Sequence, residues 1–466
     1  MRLRNGLLLG GVFIAGLAAG SVSGLLGRAF GVRLGMQPAF AEAGQDSNTY
    51  RLLSLFGRVF EITRADYVQP VSDRDLIDNA LNGMLTGLDP HSSYMSAKEF
   101  RDMQAETRGR FGGLGLEVTE ENGVIKVVSP IDDTPASRAG IKPGDLIVLL
   151  DGKSVQGVSL SEAVDAMRGA PGTTIKLTIK RPNVDKPIEV SLTREIIHTQ
   201  VVRQRLIGDI GYVRLTSFDE QAADALRQAI RSLQRQAAGG QLRGLVLDLR
   251  NNPGGLLDQA VAVANEFLDG GEIVSTRGRH PEDVQSWSAR PNRDVAGGTP
   301  LVVLINNGSA SASEIVAGAL RDDRRAVLLG TRSFGKGSVQ TVIPLAGDGA
   351  MRLTTARYYT PSGRSIQGVG IAPDVEVADS HAEQAQFWPA HEADLSHVLS
   401  NKGQSGKDAA AEAPRRDLPP IARSIPHQPP AGWPNFDPEQ PPTDFQLQQA
   451  LVLLRGMPGA THASAR

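Results

Sequence analysis

The spacing of apolar residues predicts helices in the first part of the chain that follows the leader. Residues 50–95 carry apolar side chains at steps of three and four, which is the periodicity of one face of a helix. The clearest face lies in LIDNALNGMLTGL and consists of Leu76, Ala80, Met84 and Leu88. Pro90 interrupts this pattern. We therefore expect an N-terminal helical region at residues 42–106.

A different pattern follows between residues 111 and 194. Short runs that alternate apolar and polar residues, such as GLEVTEE, GVIKVVSPI and TTIKLTIKR, predict β-strands, with a hairpin turn at Gly123. Two short helices are predicted between the strands, one ending at Gly140 and the other at Gly169. We expect residues 107–195 to form a separate small domain.

From about residue 207 the pattern becomes an alternation of strands and helices. The strand-like runs are IGYVRLTSF, GLVLDLR, LVVLI and AVLLGT. The helix after the first run has an apolar stripe made of Ala222, Leu226, Ile230, Leu233 and Ala237. Ser217 and Glu220 have the spacing of a capping box that would open this helix. The alternation predicts a mixed α/β core, with a sheet and crossover helices, at residues 196–380.

The two ends of the chain have compositions of their own. Arg2 and Arg4 precede a long uncharged apolar run, and Ala39-Phe40-Ala41 is a small-x-small pattern that a signal peptidase could cut. We expect residues 1–41 to direct export to the bacterial periplasm, as a cleaved signal peptide or as a retained inner-membrane anchor. Residues 381–466 are polar and rich in proline, which predicts a linker, and they end in a short amphipathic helix.

The composition excludes several classes of function. The chain of 466 residues has 49 Lys and Arg against 51 Asp and Glu, and this balance argues against bulk binding of nucleic acid. It contains no cysteine, so thiol catalysis, disulfides and cysteine-based zinc sites are ruled out. No group of histidines has the spacing of metal ligands. We expect neither a metal nor another cofactor.

Three serines follow the predicted strand LVVLI in the segment NNGSASASEIVAGAL. They are Ser309, Ser311 and Ser313. Ser311 starts an S-x-x-E pattern and fits a helix N-cap. The same position suits a nucleophile, because the free N–H groups at the start of a helix stabilise a developing oxyanion. The residues alone leave both interpretations open.

A base for such a serine is harder to find, because no histidine is near in sequence. His91 and His198 leave a Ser-His-Asp arrangement open. Lys336 lies between two glycines in GTRSFGKGSVQ, after a strand of the buried type. Burial would lower the pKa of its ammonium towards the range that a general base needs, and Ser-Lys pairs are an established arrangement. A surface lysine in a turn is the alternative.

The segment NNGSASASEIVAGALRDDRRAVLLGTRSFGKGSVQ resembles the active-site region of the carboxyl-terminal processing proteases, also called tail-specific proteases. The resemblance runs from about residue 50 to about residue 377 and implies a crotonase-like α/β protease core. It implies a Ser-Lys dyad in which Ser311 is the nucleophile, Lys336 is the base and Gln340 orients the lysine amine.

The resemblance also implies an oxyanion hole and a PDZ domain. The oxyanion donors are the backbone N–H groups of Ala312 and of a glycine in NNPGG, either Gly254 or Gly255, of which we favour Gly254. In the PDZ domain, the GGLGL loop would direct the N–H groups at its end towards a terminal carboxylate, and the bound peptide would add as a strand beside LEVT. These N–H groups belong to Leu114, Gly115 and Leu116. Arg168 is either a coupler between domains or a helix-terminal charge.

These features together predict an exported serine endopeptidase. It would bind unstructured C-terminal tails through its PDZ domain and cleave them by acyl transfer. The expected partners are proteins or peptides with free C-termini, while inner-membrane attachment and a homo-oligomer or an adaptor remain open. The alternative is a non-catalytic scaffold that binds peptides through the same PDZ domain.

Overall fold

The computed structural model describes most of the chain outside its first 45 residues. The described residues are 46–121, 123–182, 184–378, 391–401, 415–434 and 441–458. The export segment predicted at residues 1–41 lies outside them. None of the described helices has the length and apolar character needed to cross a membrane. The chain divides into two compact units, Met1–Asn79 and Ala80–Arg466.

Helices occupy the region where they were predicted. They are α1 (Asp46–Asp66) and α2 (Asp73–Thr86). The predicted apolar face of α2 is wrong in its second half: Leu76 and Ala80 are partly buried, but the fully buried residue of this helix is Leu85. Met84 and Leu88 are 60% and 56% exposed, and Leu88 lies beyond the helix end. At its C-terminal end, the helix therefore buries Leu85 in place of the adjacent Met84. A short strand and a third helix follow, β1 (Ser93–Met95) and α3 (Ala97–Thr107).

The next part forms a small domain around an antiparallel sheet. Its elements are β2 (Arg110–Gly113), β3 (Leu116–Glu121), β4 (Val124–Pro130), α4 (Pro135–Arg138), β5 (Leu146–Leu150), β6 (Lys153–Ser154), α5 (Leu160–Met167), β7 (Thr174–Lys180), β8 (Ile188–Thr193) and β9 (Glu195–His198). The sheet has the order β3-β4-β5-β7-β8, and β6 pairs with β5. Met167 and Ala163 of α5 pack into its apolar core. Strand β2 pairs with β9, so the two chain ends of the domain are joined.

The larger domain has two sheets. Its elements are β10 (Val202–Ile207), β11 (Ile210–Leu215), α6 (Ala222–Gln236), β12 (Gly244–Asp248), α7 (Leu257–Asn265), β13 (Glu272–Gly278), β14 (Val284–Ser288), β15 (Leu301–Ile305), α8 (Ala312–Asp322), β16 (Val327–Gly330), β17 (Ser338–Leu345), β18 (Gly349–Tyr359) and β19 (Val375–Glu376). The central sheet has the order β10-β11-β12-β15-β16-β19 and is parallel except for β10. This confirms the mixed α/β core. The second sheet contains β1, β18, β13, β14 and β17.

One face of the central sheet is covered by α6, α7 and α8. The apolar stripe predicted on α6 is buried and packs into this core. The predicted capping box is wrong, since α6 begins at Ala222 after Gln221 as the N-cap residue. Phe218 explains the late start, because it forms a β-bridge with Gly255 that keeps the chain extended.

The opposite face of the sheet is covered by the C-terminal part of the chain. Helix α9 (Phe445–Gly456) buries Leu447, Leu451 and Leu454 against strands β12, β15 and β16, and residues 421–425 join the same cluster. Each fully buried leucine contributes roughly 1.5–3 kcal/mol of hydrophobic stabilisation. The segment expected to be a linker thus supplies part of the core.

Candidate active site

Three loops meet at one edge of the central sheet. They follow β12, β15 and β16, which are neighbouring parallel strands, so their carboxyl ends lie side by side. In parallel α/β sheets, this edge is where ligands bind. The loop after β15 carries Ser311, and the loop after β16 carries Lys336.

The three serines of the predicted nucleophile segment have different environments. The Ser309 hydroxyl donates to the carbonyl of Leu249 at 2.8 Å, and the Ser313 hydroxyl donates to the carbonyl of Asn252 at 2.9 Å. Both therefore tie the serine loop to the loop after β12. Ser311 is the N-cap residue of α8 and has a positive φ of 53°, a strained conformation that turns the chain sharply from strand to helix.

The Ser311 hydroxyl faces the phenol of Tyr358. Burial raises the pKa of Tyr358 to about 12, and its hydrogen bond with Ser311 acts in the opposite direction. Ser311 is 8% exposed, so its surroundings are almost completely desolvated. A tyrosine that stays protonated at neutral pH can donate to an oxygen at this position. The sequence did not reveal this neighbour, which comes from strand β18.

A single buried carboxylate connects the two loops. Oε2 of Glu314 accepts from the backbone N–H groups of Ser311 at 2.8 Å and Lys336 at 2.9 Å. Oε1 accepts from the N–H of Gly335 at 2.7 Å and the hydroxyl of Ser333 at 2.5 Å. Burial raises the pKa of Glu314 to about 7 against these hydrogen bonds, which lower it. Sequence reasoning treated Glu314 only as the end of a capping box.

Lys336 occupies a partly buried position in its glycine-flanked loop. Burial lowers the pKa of its ammonium. The charges of Glu392, Glu314 and Asp89 act in the opposite direction, and Arg352 adds to the lowering. A Cβ atom on Gly337 would lie 2.3 Å from the backbone nitrogen of Gln367, so the loop needs glycine beside the lysine. A lysine on an exposed turn, the alternative interpretation, does not fit this environment.

The side chain of Gln340 is held in a polar chain on the second sheet. Its amide nitrogen donates to the hydroxyls of Ser338 at 2.9 Å and Thr354 at 3.2 Å. The Thr354 hydroxyl donates to Asp89 at 3.0 Å. Burial raises the pKa of Asp89, but hydrogen bonds from Ser92, His91 and Thr354 outweigh this effect and lower it.

The glycine of the predicted oxyanion hole lies against the nucleophile segment. A Cβ atom on Gly254 would lie 2.9 Å from Cβ of Ser311 and 3.0 Å from the nitrogen of Ala312. Its φ of 105° also favours glycine. The N–H of Gly254 donates to Oδ1 of Asn252 at 2.9 Å. Ala312 is the first residue of α8, where a backbone N–H has no partner within the helix.

The two histidines considered as bases have other partners. Nε2 of His91 lies 2.9 Å from both carboxylate oxygens of Glu392. Nδ1 of His198 lies 3.2 Å from Oε1 of Gln221. Within the part of the chain that the structure describes, neither imidazole forms a hydrogen bond with Ser311.

Comparisons with known proteins agree with this architecture. Residues 209–377 match peptidase family S41, residues 112–192 match a PDZ domain, and residues 36–99 match the N-terminal domain of the activating protease CtpB. The chain is 50% identical over 421 residues to a carboxy-terminal-processing protease of Bartonella bacilliformis, which covers 90% of this chain and 91% of the relative. The chain belongs to the carboxy-terminal processing proteases.

A second curated protein and a solved structure are also similar to this chain. The carboxy-terminal processing protease CtpA of Bacillus subtilis is 38% identical over 321 residues, which are 68% of this chain and 67% of the relative. A solved structure of a photosystem II D1 C-terminal processing protease is 32% identical, with a TM-score of 0.43, and covers 72% of this chain and 87% of that one. The family matches and the 50% identical relative show that this chain is an S41 peptidase with a PDZ domain, so the interpretation as a non-catalytic scaffold is wrong.

The PDZ domain of this S41 peptidase has an open groove between β3 and α5. The groove is lined by Phe111, Gly113, Leu114, Gly115, Leu116, Val118, Val164, Met167 and Arg168. Gly115 has a φ of 76°, and a Cβ atom there would lie 2.3 Å from the Thr134 side chain. The guanidinium of Arg168 lies 4.7 Å from the centre of the Phe111 ring at one end of the groove. The predicted carboxylate-binding loop therefore borders an apolar groove.

Proposed function

We propose that this S41 peptidase is a serine endopeptidase in which Ser311 is the nucleophile and Lys336 is the general base. One observation carries the proposal. Two residues from separate loops, Ser311 and Lys336, donate their backbone N–H groups to the same oxygen of Glu314. The two nitrogens therefore lie within two hydrogen-bond lengths of each other. The desolvation of Lys336, which lowers the pKa of its ammonium, supports its role as a neutral base.

The proposed reaction is acyl transfer. The neutral amine of Lys336 takes the proton of the Ser311 hydroxyl while Oγ forms a bond to the scissile carbonyl carbon. When the tetrahedral intermediate collapses, the C–N bond breaks and the Lys336 ammonium protonates the leaving amine. Water then attacks the acyl-enzyme, Lys336 takes a proton from it, and Ser311 regains its proton as the ester bond breaks.

The oxyanion would be held by backbone N–H groups of Ala312 and Gly254. The assignment of Gly254 requires its N–H to exchange Oδ1 of Asn252 for the oxyanion, and the N–H of Gly255 is the alternative. Gln340 would orient the Lys336 amine, since its own amide is fixed by Ser338 and Thr354. Preorganised donors of this kind are worth about 2.7–4 kcal/mol of transition-state stabilisation.

The test of the dyad is hydrolysis of an unfolded peptide with a free C-terminus. We expect wild type to cleave it, while Ser311→Ala and Lys336→Ala lower kcat by a factor on the order of 10⁴ or more. Ser286→Ala is the matched control, because it makes the same change at an exposed position on β14, away from the Ser311 loop in sequence. Equal cleavage by the two dyad variants and wild type would contradict the proposal.

We also propose that the groove between β3 and α5 binds the C-terminal tail of the substrate. The N–H groups of Leu114, Gly115 and Leu116 would hold the terminal carboxylate, and the peptide would extend along β3. The apolar lining of the groove supports binding of nonpolar terminal side chains. Amidation of the substrate's C-terminus should raise KM, whereas unchanged kinetics would remove the carboxylate from the recognition mechanism.

The remaining proposals concern location, division and assembly of the chain. We propose that residues 1–41 direct the protein to the periplasm, as a cleaved signal or an inner-membrane anchor. Finding Glu42 as the first residue of the mature chain would identify a cleaved signal.

We also propose a division of the rest of the chain into four parts, which limited proteolysis can test. The parts are residues 42–106, 107–195, 196–380 and 381–466.

Helix α1 offers a surface for a homo-oligomer. Its side chains Leu53, Phe56, Val59 and Ile62 are each about half exposed or more. Exposed apolar side chains concentrated on one element mark interaction sites. Phe56→Glu should shift the protein to a smaller species in light scattering, and an unchanged mass would contradict the role of this face.

A further inference from the structure

The C-terminal segment at residues 391–401 places a buried carboxylate beside the Lys336 loop. Glu392 lies outside the residues that match the S41 family, yet its side chain is completely buried. Its backbone N–H donates to the carbonyl of Phe334 at 2.9 Å. Next to it, Nδ1 of His391 lies 3.2 Å from the carbonyl of Ser333. The segment is thus attached to the residues that immediately precede Lys336.

The carboxylate of Glu392 also reaches the residue that follows Lys336. The side-chain nitrogen of Gln367 donates to Oε1 of Glu392 at 2.9 Å. The side-chain oxygen of the same glutamine accepts from the N–H of Gly337 at 2.9 Å. Glu392 and its partners therefore hold the loop on both sides of the lysine. The carboxylate of Glu392 has one more partner, His91, which lies about 300 residues earlier in the chain. Nε2 of His91 is 2.9 Å from each carboxylate oxygen.

We infer that Glu392 is a positioning residue that fixes the Lys336 loop in the active site. The inference rests on the proposed role of Lys336 as the general base. Glu392 has two separable effects. Its backbone N–H holds the loop at Phe334, and its carboxylate holds the loop at Gly337 through Gln367. Its negative charge stabilises the lysine ammonium, and among the neighbouring charges it has the largest effect on the lysine.

The charge effect has a definite sign. The charged and titratable groups near Lys336 are Glu314 of α8, Asp89 and His91 before β1, Arg352 of β18 and Glu392. Removing the negative charge of Glu392 disfavours the ammonium, so Lys336 would lose its proton at lower pH. The acid limb of the pH profile, along which the rate rises as the base becomes neutral, would move to lower pH.

The test compares pH profiles of kcat and kcat/KM for full-length wild type, Glu392→Gln and Glu392→Ala. Glutamine keeps the shape and an acceptor oxygen for Gln367, and its amide nitrogen can donate to Nε2 of His91, so the loss of charge is its main effect. We expect its acid limb to shift down by about one pH unit, with kcat at high pH close to wild type. Alanine also removes the side-chain hydrogen bonds to Gln367 and His91 but keeps the backbone bond to Phe334, and we expect kcat to fall about tenfold or more while KM stays unchanged.

Glu376→Gln is the matched control, because it makes the same change at an exposed position on β19. An acid limb of Glu392→Gln that coincides with those of the control and wild type overturns the charge effect. A kcat of Glu392→Ala within twofold of wild type overturns the positioning role. If the alanine variant does not fold, Gln367→Met decides the positioning role instead, because it breaks the link from Glu392 to Gly337, and a kcat within twofold of wild type overturns that role.

The failure of the proposed function would look different. If Lys336→Ala cleaves at the wild-type rate, or if wild type shows no acid limb, the dyad itself is wrong and the inference falls with it. If wild type shows the limb, Lys336→Ala is inactive, Glu392→Gln leaves the limb in place and Glu392→Ala keeps the wild-type kcat, only the inference is wrong.

Discussion

The serine loop and the C-terminal tail each contribute a buried glutamate next to Lys336, and they do so in different ways. Glu314 lies three residues after Ser311 and bonds to backbone groups of both the Ser311 loop and the Lys336 loop. Glu392 comes from a segment without a recognisable motif and bonds to His91, Gln367 and Phe334. Both carboxylates are completely buried. A residue close in sequence and a residue from a distant segment can thus hold the same loop from two sides.

Of the variants considered below, we expect the largest loss of activity from substitution of Glu314, the glutamate that is close to Ser311 in sequence. Glu314→Gln replaces one of two acceptor oxygens with a donor, so two of the four hydrogen bonds are lost. Each buried donor left without a partner costs about 1–3 kcal/mol. We expect kcat to fall by a factor on the order of 10² or more, with a lower free energy of unfolding. Full activity would show that the shared carboxylate is dispensable.

The tail makes a second buried connection, to the loop that contains Gly254. Arg250 donates to Asp444, the N-cap residue of α9, at 2.9 and 2.6 Å and also pairs with Asp248. Asp444→Ala leaves the buried guanidinium without one of its two carboxylate partners. We expect a loss of about 3–5 kcal/mol in the free energy of unfolding, measured with denaturant.

Asp444→Asn serves as the control for that variant, because asparagine can still cap the helix. The free energy of unfolding should fall less in Asp444→Asn than in Asp444→Ala. An equal free energy of unfolding for Asp444→Ala and wild type would mean that the ion pair between Asp444 and Arg250 contributes nothing to stability.

The raised pKa of Glu314 predicts a pH dependence of stability. Its pKa is about 7 in the folded protein against 4.5 as the ordinary value, so the folded state binds more protons between these pH values. This contribution is fully present below about pH 4.5 and is lost as pH rises through 7. The stability of wild type minus that of Glu314→Gln should therefore fall over this range. A difference that stays constant or rises would contradict the shift.

The smallest effect is expected at His91. If Lys336 is the base, His91→Asn removes a partner of Glu392 but no catalytic group, so kcat should stay within about tenfold of wild type. The acid limb of the pH profile should persist. A loss on the order of 10⁴ would instead make His91 the base and would support the triad alternative.

Several elements could be predicted because their information is local. The stripe from Ala222 to Ala237 follows the period of a helix, and strands β11, β12, β15 and β16 follow from apolar runs between turn residues. The start of α6 was predicted too early, because Phe218 pairs with Gly255, far away in sequence. The buried row of α2 was missed because apolar residues occupy adjacent rows of that helix.

The α/β alternation, the serine segment, the glycine-flanked lysine and, through resemblance, the family were all predictable from the residues alone. These depend on residue type and short spacing, which backbone sterics and periodic burial translate directly into structure. Only the tertiary structure decided that Tyr358 faces Ser311, that Glu314 joins two loops and that Glu392 lies beside Lys336. Those contacts join residues from different elements, and their geometry depends on how the whole chain packs around the central sheet.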